Sequence, residues 1–293
     1  MKKVLVLGGV SYDEIIRLDR LPDGSSRTVF GTGWRAVGST GAGKSLNLTK
    51  LGVANTLHAT IGDDPDGRAI RAFLEARGVI AIYDDVPVTD HHVNLMDGEG
   101  NRLSIFTVPE RKIPAVDIAR LEQLIASHDV IVLNIIPYTK QLIPLIMKQK
   151  KEIWTDLHDY VPGNPYYDDF IAASEVIFLS SDQTPDHLRL MDEWIAAGKR
   201  AVIVTHGKNG AAAKTADGPM LYEPIINTYQ LVDANGAGDA FFAGFLYGYL
   251  LGEPISKCLC YGTIAGGVTV SSRELVAEEL SPEYIETMYR LNY

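Results

Sequence analysis

Two glycine-rich stretches carry residue types that could do chemistry on a phosphate. Residues 233–239 read DANGAGD and run into the apolar segment AFFAGFLYGYLL. Gly236, Ala237 and Gly238 open a helix there, so their amides and the helix dipole form a positively polarised cup for a phosphoryl group in transfer. Asp239 stands where its carboxylate can take the proton of a hydroxyl held against that cup. Phosphoryl transfer to an alcohol needs both parts together. The alternative, a glycine turn followed by an aspartate near a helix start, leaves the number of glycines without a reason.

The second stretch, GSTGAGKS at 38–45, fits G-x-x-x-x-G-K-[ST] letter for letter. A working P-loop follows the end of a buried parallel strand. The residues before this one, RTVFGTGWRAV, are interrupted by two glycines, a tryptophan and the arginine after it, so that strand is missing. GTGWRA at 31–36 matches a dinucleotide pattern and fails the same test of context. Asp156, ending EIWTD, is only weak support as a Walker-B acid. The expectation is a glycine-rich turn over 38–44 whose amides converge at a helix N-terminus and could hold a polar ligand. Lys44 reads either as an exposed lysine at the helix start or as a cation beside the ligand.

The elements that must position these stretches alternate. Apolar runs VLVL (4–7), VIVL (130–133), VIFL (176–179) and AVIV (201–204) suit strands buried on both faces of a parallel sheet. Helical patterns lie between them at 115–127, 139–150 and 186–197, with Pro144 set to kink the second or sit in its first turn. The alternation predicts an α/β layer sandwich. Residues 14–37 and 82–108 break the alternation, and DGEGN at 97–101 between two β-type runs predicts a hairpin. A single domain over 1–293, with a small β lid made from these two insertions, is the simplest arrangement. Helices are expected at 236–251, 255–272 and 281–291.

Taken in order, these stretches resemble the PfkB/ribokinase family of carbohydrate and nucleoside kinases. DANGAGDAFFAGF resembles its D-T-x-G-A-G-D motif, VLVLGGVSYDEIIRLDRLP its first strand, and GSTGAGKSLNLTKLGVANTLHATIGDDPDGRAI its first signature. VIVTHGKNGAA resembles the strand and turn flanking the nucleotide. The resemblance implies a ribokinase-like three-layer α/β/α sandwich with a mostly parallel sheet and a small β lid, and an ATP-dependent kinase acting on a hydroxymethyl group of a sugar. Asp239 would be the general base, with Gly236, Ala237 and Gly238 on the transferring group. Thr205, Gly207 and Gly210 would line the nucleotide phosphates, and Gly262 and Gly266 the adenine. Asp13, Gly38, Ser39, Gly43, Lys44 and Asn134 would face the acceptor, so that GSTGAGKS belongs to the acceptor and not to ATP. Mg2+ would arrive with ATP, with Asp182 the nearest carboxylate to it.

Several positions depart from the family pattern. Its usual asparagine in the first signature is Gly43 here, followed by Lys44. Ala234 replaces a threonine, which counts against activation by a monovalent cation. Ile136 replaces an acid used by ribose-type members. His91 and His158 are candidates for lining the acceptor pocket, and Tyr12, Phe30, Trp34 and Phe106 would favour a nucleoside if they faced Asp13.

The remaining composition narrows the classes. A net charge of −10 over 293 residues argues against a nucleic-acid partner, though a local cationic cluster could hold an anionic substrate. The first apolar run is too short for a signal or a membrane span. Cys258 and Cys260 lack further cysteines to complete a metal site and suit a reducing cytoplasm. Besides the sugar kinase, three readings remain: a nucleoside kinase of the same fold, a P-loop NTPase, and a non-catalytic ligand-binding protein. Edge strands of the lid would favour a homodimer formed through it.

Overall fold

The computed structural model describes residues 2–25, 28–98, 102–107 and 113–293. Its strands are β1 (Val4–Leu7), β2 (Ser11–Arg17), β3 (Thr32–Gly38), β4 (Asn55–Gly62), β5 (Ile80–Val86), β6 (His92–Met96), β7 (Arg102–Phe106), β8 (Val130–Asn134), β9 (Glu152–Asp156), β10 (Val176–Ser180), β11 (Ala201–Thr205), β12 (Ala211–Thr215) and β13 (Leu221–Glu223). Its helices are α1 (Thr40–Lys50), α2 (Pro65–Ala76), α3 (Ile118–Ser127), α4 (Pro137–Lys140), α5 (Ile143–Lys148), α6 (Asp168–Ala173), α7 (His187–Ala196), α8 (Ala237–Leu250), α9 (Ile255–Val270) and α10 (Pro282–Asn292).

The predicted parallel sheet is present, in the order β13-β12-β11-β10-β9-β8-β1-β4-β5. The seven strands from β11 to β5 run parallel, and β12 and β13 extend the β11 edge by antiparallel pairing. Alternation along each strand divides the core between the two faces. Val4 and Val6 pack with α1, α2, α8, α9 and α10, whereas Leu5 and Leu7 pack with α3 to α7. Both faces are therefore dry, which is why β1 reads as a continuous apolar run. The expected 139–150 helix divides into α4 and α5, because Pro144 has no N–H to give to the carbonyl of Lys140.

A second sheet, in the order β3-β2-β6-β7, comes largely from the two segments that broke the alternation, but it starts earlier, at Ser11. Residues 82–86, expected in the lid, belong instead to β5 at the edge of the large sheet, where they pair with β4. β6 and β7 pair antiparallel as the hairpin expectation required, from His92↔Phe106 to Met96↔Arg102. The hairpin tip at 99–101 and residue 108 lie outside the described residues. Arg35 ties this sheet to α2 through Asp66 at 2.6 Å. Among the described residues no helix is long and apolar enough to cross a membrane.

Candidate active site

The parallel strands end together along one edge. Asn134, Asp156, Ser180 and Thr205 are the last residues of β8, β9, β10 and β11. The crevice beyond such carboxyl ends is where open α/β sheets bind ligands. Gly8 and Gly9, just past β1, receive the start of α1 on their backbone. A Cβ on Gly41 would lie 2.4 Å from the Gly9 carbonyl oxygen, so only glycine lets the chains approach this closely. Ser39 enters α1 at a left-handed φ of 73°.

This geometry removes the P-loop. β3 is an edge strand of the small sheet, antiparallel to β2, and not the buried parallel strand a P-loop requires. The amides expected to converge on a ligand are already used: Ala42 N–H donates to the Gly9 carbonyl at 3.2 Å and Gly43 N–H to the Ser39 carbonyl at 3.0 Å. The helix begins at Thr40, so Gly41 to Lys44 lie inside it and the turn is shorter than the expected 38–44. Asp156 has no Walker-B setting either; its partner is Lys44.

Lys44 is neither an exposed helix-start lysine nor free to meet a ligand. It has no exposed surface, and its ammonium lies 2.5 Å from Asp239 Oδ1 and 3.0 Å from Asp156 Oδ2. The Phe242 ring covers it at 5.1 Å. Burial disfavours the ammonium, but the two carboxylates outweigh it and hold the Lys44 pKa above its ordinary value. Burial likewise works against the Asp156 carboxylate, and the facing His158 and Lys44 bring it down to about 2. His158 Nδ1 is 3.2 Å from Asp156 Oδ2, and burial holds the imidazole below its usual range. At neutral pH Lys44 is therefore the resident cation of the cluster. Removing one partner of such a buried pair typically costs about 3–5 kcal/mol, because the other charge is left uncompensated.

Two glycines in one short segment touch the two acids of interest. A Cβ on Gly38 would fall 2.1 Å from Asp13 Oδ2, and one on Gly43 would fall 2.3 Å from Asp239 Oδ2. Gly43 thus packs under Asp239 instead of presenting itself to a ligand. Asp13 is buried and accepts from the His92 amide at 3.3 Å and from Asn94 Nδ2 at 3.2 Å, while His92 Nδ1 lies 3.2 Å away. His91, the histidine expected here, points instead toward Asp66 on α2 at 4.0 Å. Around this corner Ser11 Oγ, Trp34 Nε1, His92 Nε2 and Asn134 Oδ1 are buried without hydrogen-bond partners among the described residues. Buried polar atoms are ordinarily paired, so these four have hydrogen-bonding capacity to spare. Trp34 and Phe106 share the sheet face of Asp13; Tyr12 faces the other way under the Arg35 guanidinium, and Phe30 is 90% exposed. A cleft of about 660 Å³ runs along the β3 side, lined in part by Arg17, Trp34, Arg35, Phe73 and Arg273.

α8 begins as expected. Gly236 is its N-cap at φ 80°, without a side-chain cap, and Ala237, Gly238 and Asp239 form the first turn. A Cβ on Gly238 would meet nothing within 4 Å, so the cup is open on that side. Asp233 folds the approach by accepting the Asn235 amide at 2.8 Å, and burial raises its pKa against the opposing pull of that amide and of Arg102, Arg17 and Arg273. Two of those arginines come from the small sheet and reach this loop: Arg17 donates to the Val232 carbonyl at 3.4 Å and Arg102 to Asn235 Oδ1 at 3.2 Å.

The nucleotide-side expectations divide. Thr205 ends β11, and a Cβ on Gly207 (φ 52°) would enter open space. Gly210, Gly262 and Gly266 are glycines for packing reasons: their Cβ atoms would lie 2.0 Å from the Glu223 carbonyl oxygen, 3.0 Å from Phe241, and 3.2 Å from the Ala237 carbonyl oxygen. Asp182 is exposed beyond β10, its amide donating to Ser180 Oγ at 3.2 Å. Among the described residues no cluster of three or more His, Cys, Asp or Glu could hold a metal by itself.

The model of the pfkB family carbohydrate kinases matches residues 1–280. Acarbose 7(IV)-phosphotransferase of Actinoplanes sp. is 33% identical over 278 residues, 90% of each chain. ATP-dependent ribose-1-phosphate kinase of Halopiger xanaduensis is 26% identical over 281 residues, 92% of each chain. A microbiome-derived acarbose kinase superposes with a TM-score of 0.86 at 27% identity over 99% of both chains. Giardia lamblia ribokinase shares the fold at the same TM-score and 15% identity, over 100% of this chain and 99% of that one.

Proposed function

From the premise that the chain belongs to the pfkB family of carbohydrate kinases and is an ATP-dependent sugar kinase, we propose that it phosphorylates a hydroxymethyl group held between Asp13 and Asp239. The observation that carries this reading is that both carboxylates rest on glycines of one segment, 38–43, beneath the carboxyl edge of the sheet. An acceptor lying along that segment has Asp13, Asn134 and the unpartnered polar atoms for its hydroxyls and Asp239 for its reacting oxygen. Asp239 takes the hydroxyl proton as the oxygen attacks the γ-phosphorus and the bond from that phosphorus to the ADP oxygen breaks. The Ala237 amide already donates to the Ala234 carbonyl at 3.3 Å, so the Gly236 and Gly238 amides receive the charge of the transferring group. Thr205 and Gly207 border the nucleotide phosphates. Mg2+ would arrive with the nucleotide and supply charge neutralisation at its phosphates, and Asp182 is the residue that would approach it there.

The small sheet serves as a lid in this reading. Arg17 and Arg102 draw it onto the loop leading into the cup, which excludes water and limits idle ATP hydrolysis. A cytoplasmic setting, where ATP is supplied, suits the two free, buried cysteines, whose thiols burial pushes up to about 12.

The test is ADP release with Mg-ATP across sugars, oligosaccharides, sugar phosphates and nucleosides. Turnover only with nucleosides would replace the sugar reading, and hydrolysis indifferent to acceptor would remove both. Asp13→Asn is expected to raise the acceptor KM by roughly tenfold to a hundredfold, the worth of a charged hydrogen bond, and to leave ATP affinity unchanged in calorimetry. We also expect a homodimer through the lid, since β7 is an edge strand exposing Leu103, Ile105 and Phe106. Light scattering that finds a monomer at micromolar concentration would remove that part.

A further inference from the structure

Lys44 is the buried charge for which the reaction as described has no use. We propose that Lys44 is a positioning residue for phosphoryl transfer: its ammonium turns the Asp239 carboxylate into place over Gly43 and keeps its charge apart from that of Asp156. The inference rests on the reading of Asp239 as proton acceptor. Three observations converge on it. The ammonium is spent inside the protein, with carboxylates at 2.5 and 3.0 Å and an aromatic face at 5.1 Å, so it has no direction left for a nucleotide phosphate. Gly43 leaves the space that Asp239 fills, because any side chain there would meet Oδ2 at 2.3 Å. Asp156 anchors the ammonium from the opposite side, at the end of β9, so that Lys44 bridges the sheet edge to the first turn of α8.

The titratable groups facing Asp239 are Lys44 from α1 and, across it, Asp156 at the end of β9 and His158 just past it, with Asp159 beyond them. Without the ammonium, Asp156 and Asp239 become two carboxylates sharing one dry space. Such a pair keeps one proton well into the pH range where a single carboxylate has lost it. A proton on the pair is a proton on the base for part of the time, and turnover falls.

The experiment compares wild type, Lys44→Met and Lys44→Met/Asp156→Asn. It reads the pH profile of kcat/KM for the acceptor, ATP affinity by calorimetry, and carboxyl-13C NMR titration of the aspartates, which requires no turnover. For Lys44→Met we expect kcat to fall roughly tenfold or more, ATP affinity to hold, and the acidic limb and the NMR midpoint of the pair to rise by about one pH unit or more. Removing the second charge in the double variant returns the limb toward wild type while kcat stays low, because orientation is still lost. A Lys44→Met limb that coincides with wild type, or a loss of ATP binding, overturns the proposal. If Lys44→Met does not fold, the double variant decides, since it leaves Asp239 without a buried counterpart. There, low kcat with unchanged acceptor KM and ATP affinity supports the proposal, and wild-type kcat overturns it. A wild type that releases no ADP with any acceptor sinks the kinase reading instead, and the NMR titration still reports on Lys44.

Discussion

Asp239→Asn is expected to lower acceptor-dependent ADP release by about 10²–10⁴, the range that general-base catalysis contributes, with ATP affinity little changed. Asparagine keeps the shape of aspartate and removes its basicity. In the first turn of α8 it still leaves the backbone cup in place, because the N-cap there is Gly236 and no side chain caps the helix. Steady-state kinetics beside ATP calorimetry separates the outcomes. Equal loss of both would mean that the substitution disturbed the cup, and retained turnover would remove Asp239 as the base. The substitution also leaves Lys44 with one carboxylate in place of two, so a modest fall in thermal stability accompanies the loss of activity.

Gly43→Ala is the second large effect, and here two principles oppose each other. Helix propensity alone favours alanine over glycine by about 0.8–1.0 kcal/mol inside a helix. The added methyl, however, would sit 2.3 Å from Asp239 Oδ2 and 3.0 Å from its Cβ. The α1 backbone cannot move away freely, since Asn47 Nδ2 ties it at Gly43 to the Leu275 carbonyl, with both bonds at 2.8 Å. The carboxylate must therefore swing off Lys44. A displacement of about 1 Å at a reacting group costs on the order of 10² in rate, so kcat is expected to fall by that order with ATP affinity unchanged. Kinetics at wild-type level would show that Asp239 has a second working position. Gly41→Ala makes the contrasting control, because its methyl would meet the Gly9 carbonyl and not an acid. It should cost stability before it costs turnover.

Much of this protein was legible in one dimension. Runs such as VLVL and VIVL announce strands buried on both faces, and the structure divides each between two cores by simple alternation. DANGAGD also declares its geometry locally, because a cap in the left-handed region followed by small residues is a property of seven consecutive positions. The hairpin of β6 and β7 follows from turn residues between two β-type runs in the same way. The splitting of α4 from α5 was half visible, since Pro144 marks the break without choosing between a kink and a new helix.

What only the tertiary structure decided was what each small or charged residue is for. Glycine at 38, 43, 210, 262 and 266 reads the same in a sequence, yet two make room for acids and three for neighbouring backbone or rings. The choice between His91 and His92 turned on which face of β6 meets Asp13. Lys44 is the clearest case, 112 positions from Asp156 and 195 positions from Asp239. A lysine after a glycine pattern suggests a phosphate, and a lysine at a helix start suggests solvent. A lysine that bridges two carboxylates can be recognised only when α1, β9 and α8 converge, because the burial that forces charges to pair is a property of the packed molecule and of no single segment.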